Sequence, residues 1–183
     1  MQNSIDRHGK GYDWANHEVH TDDGYILNIF RLLPPGFDSD DENHIWGDPV
    51  FLQHGMGANG SRFINRLEDQ DDEFDALAIS LAKEGYDVWI GNNRGNQFSS
   101  LHEKLDWSED EADYWAYSFP ELAKYDLPAM LKTVREETDG RKIRYVGTSL
   151  GTTQMFYGLS SANKAFLEES LHQVIAMAPV LIP

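Results

Sequence analysis

The sequence contains no cysteine. Disulfides, thiolate catalysis and Cys-ligated metal centres are therefore excluded, while the redox compartment stays open, because secreted and cytosolic chains can both lack cysteine. Long apolar runs are missing too: none approaches the roughly 20 residues that a membrane helix requires. The opening MQNSIDRHGKGYDW has no apolar core of the kind a signal peptide needs. Cationic side chains are scarce, 15 Lys and Arg against 31 Asp and Glu, for a formal net charge of −16. A chain this acidic is repelled at long range by phosphates and anionic membrane surfaces, so no nucleic-acid partner is expected. Internal repeats are absent. The acidic clusters at 38–42, 68–75 and 106–113 match no calcium-loop spacing and read as solvated loop faces. No metal and no cofactor is expected.

What is present suits one globular domain: 183 residues, 40% hydrophobic and 12% aromatic. His17 to Thr21 and Tyr25 to Leu33 read as strands around the turn signal Asp22-Asp23-Gly24, an opening hairpin. Val50 to Gln53 is a short buried strand that runs into His54-Gly55-Met56-Gly57. Phe74 to Glu84 carries apolar residues at 74, 77, 78 and 81, one helical face, and Gly85 stops it. Tyr86 to Ile90 is the next strand, followed by the loop Gly91-Asn92-Asn93-Arg94-Gly95-Asn96. Residues 99–120 read as irregular. Asp126 is expected to cap a helix running to about Thr138, with Pro128 in its first turn. Ile143 to Gly147 is a strand, Leu150 to about Ser161 and Lys164 to Ser170 are helices, and Gln173 to Met177 is a last strand. Strands alternating with helices predict an α/β fold, a mostly parallel sheet with helices on both faces.

The chemistry concentrates in Gly147-Thr148-Ser149-Leu150-Gly151, a G-x-S-x-G placed between a strand and a helix. Such an elbow turns so sharply that a Cβ at either flanking position would strike neighbouring chain, and it lifts the serine Oγ above the sheet edge. The helix start offers a backbone N–H, that of Leu150, to a developing oxyanion. The same motif in another context is a Gly-rich turn that caps a helix. A second oxyanion donor must come from the loop after the third strand, where the Met56 N–H is the candidate. His54 reads as a residue that shapes this loop, because a catalytic histidine in this fold follows the serine in sequence. Asn59-Gly60-Ser61 is a glycosylation sequon that short patterns produce by chance.

Several longer stretches are more specific than the elbow. Glu18-Val-His-Thr-Asp-Asp-Gly-Tyr-Ile-Leu27, Val50-Phe-Leu-Gln-His-Gly55, Gly85-Tyr-Asp-Val-Trp-Ile-Gly-Asn-Asn-Arg-Gly-Asn96, Tyr114-Trp-Ala-Tyr-Ser-Phe119, Ala123-Lys-Tyr-Asp-Leu-Pro-Ala129 and Ala176-Met-Ala-Pro-Val180 cover nearly the whole chain. In this order they resemble the acid lipase family, which includes gastric and lysosomal acid lipases. The resemblance implies the α/β-hydrolase fold and hydrolysis of neutral lipid esters, such as triacylglycerols or cholesteryl esters, at a lipid–water interface. It also implies a secreted or lysosomal location, Ser149 as nucleophile, and Met56 and Leu150 as oxyanion N–H donors. Arg94 is expected to brace its loop rather than act on substrate. Two departures stand out. The family's elbow usually carries His before the nucleophile and Gln after it, where this chain has Thr148 and Leu150. Family members also continue into a lid and the catalytic Asp and His.

After Ser149 the chain holds one histidine, His172, two acids, Glu168 and Glu169, and no Asp. A serine hydroxyl is a weak nucleophile without a base to take its proton. His172, just before the last strand, belongs at the sheet edge opposite the elbow. The expectation is thus the N-terminal part of one α/β-hydrolase domain, with residues 1–36 the opening hairpin region and residues 50–183 the β/α core, and with an incomplete triad. Leu181 and Ile182 would then lack a burial partner. The alternative expectation is a catalytically dead homologue with a binding or scaffolding role.

Overall fold

Two short β runs around a tight turn open the sheet. Strands β1 (Asp13–His20) and β2 (Tyr25–Leu33) pair antiparallel from Asp13 opposite Leu33 to His20 opposite Ile26. The structure, a computed structural model, describes residues 1–39, 44–65, 75–161 and 163–181. Strand β2 passes antiparallel to β4 (Asp87–Ile90), and from there the sheet is parallel: β4 beside β3 (Pro49–Gln53), β3 beside β6 (Ile143–Thr148), β6 beside β7 (Leu171–Met177). The order is β1-β2-β4-β3-β6-β7, and a two-residue strand β5 (Leu101–His102) pairs with β2 to make seven.

Because strand side chains alternate between faces, each central strand serves two cores. Leu27, Ile29, Phe51, Trp89 and Tyr145 face helices α5 (Leu127–Glu137), α6 (Leu150–Leu159) and α7 (Lys164–Ser170). Phe30, Leu32, Val50, Leu52, Val88, Ile90 and Val146 face the other side, where α1 (Gln2–His8) brings Ile5 and α2 (Leu77–Lys83) brings Ala78 and Ile79. A sheet buried on both faces explains why β3 and β4 are near-continuous apolar runs. It also places the C-terminal ends of β3, β4 and β6 side by side, where loops can converge on one site.

Several elements differ from the sequence reading. Helix α1 was not foreseen; seven residues with one fully apolar anchor, Ile5, give little periodicity to read. The described part of the helix expected over Phe74 to Glu84 is α2; Phe74 lies outside the described residues, as do parts of the acidic clusters at 38–42 and 68–75. The segment 99–120 is not irregular throughout. It holds β5, α3 (Glu111–Tyr114) and α4 (Phe119–Glu121), which runs through a π turn at Leu122–Asp126 into α5. Asp126 is therefore no cap. Its backbone is already helical, its side chain makes no capping bond, and its carboxylate is engaged elsewhere. The start signal lies upstream, where Ser118 donates its N–H to the Glu121 side chain at 2.8 Å, half of a capping box. Strand β7 begins at Leu171, so His172 lies within it.

Strand β7 is the open edge of the described sheet. Ile175 and Met177 on it are exposed, as are Val180 and Leu181 beyond it; Ile182 lies outside the described residues. No helix among the described residues is long and apolar enough to cross a membrane.

Candidate active site

The turn between β6 and α6 is sharp enough to force Ser149 to φ 51°, ψ −116°. A non-glycine residue in such a conformation costs on the order of 1–3 kcal/mol and persists only when its surroundings hold it. The Ser149 N–H donates to the Met177 carbonyl at 3.0 Å, and the Ser149 carbonyl accepts from the Thr152 N–H at 2.8 Å and the Thr152 hydroxyl at 2.6 Å. The flanking glycines are a steric requirement. A Cβ on Gly147 would lie 2.9 Å from Gly151 backbone, and one on Gly151 would lie 2.8 Å from the Gln53 carbonyl and 3.0 Å from that of His54. Side chains there would pry α6 away from the end of β3.

The end of β3 brings His54-Gly55-Met56-Gly57 alongside. A Cβ built on Gly55 would sit 3.0 Å from Ser149 Cβ and 3.6 Å from its Oγ, so the loop's backbone passes directly beside the serine. Leu150 is the first residue of α6, where a helix N–H has no partner within the helix. Among the described residues, neither the Leu150 nor the Met56 N–H is spent on another hydrogen bond. The Met56 side chain is exposed.

His54 is buried and fully committed. Its Nδ1 lies 2.7 Å from the Gly55 carbonyl oxygen. Its Nε2 lies 3.2 Å from both the Asn93 backbone nitrogen and Asn96 Nδ2. Burial pushes its pKa below the ordinary histidine value, against the Gly55 carbonyl, which pulls the other way.

The loop 91–96 that supplies these partners is tied down from two sides. Arg94 donates its backbone N–H and its Nε–H to the Asp126 carboxylate at 2.9 and 2.7 Å, and its terminal nitrogens to Asp23 at 2.7 and 2.8 Å. Its guanidinium lies 3.8 Å from the Tyr25 ring centre, a cation–π contact. Burial raises the Asp126 carboxyl to about 6, against the pull of Arg94 on the carboxylate. Burial raises Asp23 as well, but hydrogen bonds from Arg94 and Thr21 outweigh it and hold that carboxyl below its usual value. Asn93 closes a reciprocal amide pair with Gln154 of α6, at 2.9 and 3.3 Å.

Together these loops wall a cavity of about 630 Å³, lined by His54, Gly55, Met56, Tyr117, Phe119 and Leu150 among others. Met56 and Leu150 line this cavity, and Ser149 sits directly before Leu150 with its Oγ beside Gly55. His172 is elsewhere: Leu171 pairs with Ile143 at the start of β6, while Ser149 follows its end. Five residue steps of strand lead from His172 to Met177, about 17 Å. Among the described residues, no side chain hydrogen-bonds to Ser149 Oγ. No cluster of three metal-ligating side chains exists among them either.

Sequence reasoning missed Asp23, Asp126, Asn93, Asn96 and Gln154 as parts of the site. Asp23 reads as a turn residue and Asp126 as a cap, because their partner Arg94 is 71 and 32 positions away. The density of Asn, Gly and Arg in 91–96 was the available signal.

The family model described as "alpha/beta hydrolase fold" matches residues 48–182, and a second, "Partial alpha/beta-hydrolase lipase region", matches residues 5–67. Gastric triacylglycerol lipase of Rattus norvegicus is 40% identical over 170 residues, covering 93% of this chain and 40% of the relative. The Homo sapiens protein named Lipase member K is 40% identical over 179 residues, with the same shares. The chain therefore spans about 40% of the length of these relatives. Among solved structures, an esterase of Pyrococcus furiosus superposes with TM-score 0.58 at 16% identity, over 96% of this chain and 54% of that one. An epoxide hydrolase of Vigna radiata superposes with TM-score 0.57 at 14% identity, over 95% and 42%. At such identities the two structures bear on the fold alone.

Proposed function

The chain belongs to the α/β hydrolase fold family, and from that premise we propose that it carries the nucleophile and oxyanion site of a serine ester hydrolase acting on neutral lipid esters such as triacylglycerols or cholesteryl esters. The observation that carries this reading is Ser149, held at positive φ between β6 and α6 with the Gly55 backbone beside its Oγ. In the proposed reaction Ser149 Oγ attacks the ester carbonyl, and its proton passes to a base. The carbonyl oxygen gains negative charge, which the Met56 and Leu150 N–H groups stabilise. Such donors matter because they point where charge develops before the reaction starts; losing one typically costs about 10²–10³ in rate. The cavity, walled partly by Met56, Phe119 and Leu150, offers apolar surface to an acyl chain. The names of the relatives, triacylglycerol lipases among them, support the lipid-ester class.

The base is the open element. No described residue hydrogen-bonds to Ser149 Oγ, so the proposed turnover requires a histidine and its acid from outside the arrangement described above. The same observation favours a second reading, a binding protein that keeps the fold without turnover. Labelling with a fluorophosphonate, which reacts with an activated serine, separates the two. It is done on the wild type and on Ser149→Ala, with any longer natural form of the protein assayed alongside. The enzyme reading expects Ser149-dependent labelling and ester hydrolysis in the form that holds the base. Folded protein in which neither form labels would leave only the binding reading.

A further inference from the structure

We propose that His54 is a positioning residue: its Nδ1–H grips the Gly55 carbonyl and thereby turns the Met56 N–H toward Ser149, while Asn93 and Asn96 lock the imidazole in the tautomer this requires. The proposal rests on the reading of Met56 as an oxyanion donor.

In a trans peptide the C=O of one residue and the N–H of the next point in opposite directions, and no cis bond occurs among the described residues. Fixing the Gly55 oxygen at 2.7 Å from His54 Nδ1 therefore fixes the direction of the Met56 N–H away from the imidazole. The Ala58 N–H also reaches the Gly55 oxygen, but at 3.4 Å against 2.7 Å for His54. With the shorter bond lost, Gly55 and Gly57 leave this turn little resistance to rotating the unit. Flipped by half a turn, it would present a carbonyl oxygen where the donor belongs and repel an oxyanion.

The tautomer follows from what the partners can do. A carbonyl only accepts, so Nδ1 carries the proton. The Asn93 backbone N–H only donates, so Nε2 is bare. Asn96 agrees, because its orientation is settled independently: its Oδ1 accepts from the Phe98 and Ser99 N–H groups at 2.8 and 3.1 Å, which leaves Nδ2 to face His54 Nε2 and Asn92 Oδ1. Two donors converge on Nε2, so a proton there would meet two N–H groups head on. Arg94, next to Asn93, anchors the loop that holds them. A histidine 95 positions upstream of the serine thus fixes the donor.

The test has two arms. Long-range 15N–1H spectra of the labelled 183-residue chain, with His54→Asn to assign the signal, read the tautomer whether or not Ser149 is reactive. The expected result is a neutral Nδ1–H ring that remains neutral at a pH where exposed His20 is charged. An Nε2–H tautomer, or titration alongside His20, overturns the proposal. The second arm compares His54→Asn with His54→Leu in the form that shows Ser149-dependent ester hydrolysis. An asparagine amide can still donate to the Gly55 carbonyl, whereas leucine cannot. The expected outcome is a kcat loss of about 10²-fold for His54→Leu at unchanged KM, with most of the rate kept by His54→Asn. Equal losses in both variants, or a change in KM alone, overturn it. If no form shows Ser149-dependent hydrolysis, the functional reading fails and the tautomer arm still decides whether His54 fixes the peptide.

Discussion

The two walls of the cleft are held in place by different physics. The elbow around Ser149 is fixed by close approach of backbone to backbone, Gly147 against Gly151 and Gly151 against the end of β3. The facing loops, 54–57 and 91–96, are fixed by polar bonds among His54, Asn93, Asn96, Arg94, Asp23 and Asp126. Steric fixing is indifferent to pH and salt. Polar fixing in a buried setting depends on every partner being present and correctly protonated.

Loss of Arg94 should separate the two walls most sharply. Arg94→Leu leaves the fully buried Asp126 without a cation, and removing one partner of a buried pair typically costs about 3–5 kcal/mol. The expected result is a large drop in the urea midpoint; a change below about 1 kcal/mol would show that the loop does not depend on its ion pairs. On the steric wall, Gly151→Ala places a Cβ against the Gln53 carbonyl and should cost about 1–3 kcal/mol. In the form that shows Ser149-dependent labelling it should also slow reaction with the fluorophosphonate, since α6 must move away from β3; unchanged stability and labelling in that form would mean that the elbow has slack.

The smallest effect is the pH response of the polar wall. His54 is held neutral, with its folded pKa lowered. Below about 6.5 the unfolded chain takes up a proton that the folded chain refuses. Stability is thus complete above that value and falls with pH, by up to about 1.4 kcal/mol per unit, until the folded pKa is reached. Asp126, raised to about 6, works in the opposite direction: between about 6 and its unfolded value near 4 the folded state holds the extra proton and gains stability as pH falls. The difference between wild type and His54→Asn isolates the histidine, because Asp126 contributes to both. The gap in unfolding free energy should shift against the wild type as pH drops below 6.5; a gap independent of pH would mean that His54 titrates normally.

The same division explains what could be read from the sequence. The steric and apolar parts are local. The hairpin around Asp22-Asp23-Gly24, the buried runs of β3 and β4 and the G-x-S-x-G elbow all show in a few adjacent residues. The polar parts are long-range. Nothing near Asp126 in sequence announces Arg94, so a residue that suits a helix cap was read as one, although Ser118-Phe119-Pro120-Glu121 held the start signature. His54 could be placed on its loop, but its tautomer depends on asparagines 39 and 42 positions away. Segment 99–120 was opaque because its elements, two to four residues long, are too short to show a period and are held by contacts with β2 and Arg94.

The tryptophans make this architecture visible to light. Trp89 is fully enclosed in the sheet's interior, beside His17 and Arg31. Trp115 is about half open, with its indole N–H on the Trp107 carbonyl and its ring against Gly95 of the cleft loop. A neutral quencher such as acrylamide will reach Trp107 and Trp115 long before Trp89. With the partly exposed Trp14 and Trp46 replaced by phenylalanine, emission from beside the cleft loop and emission from the core can be told apart in one cuvette, so that loosening of the loops registers optically before the sheet itself gives way.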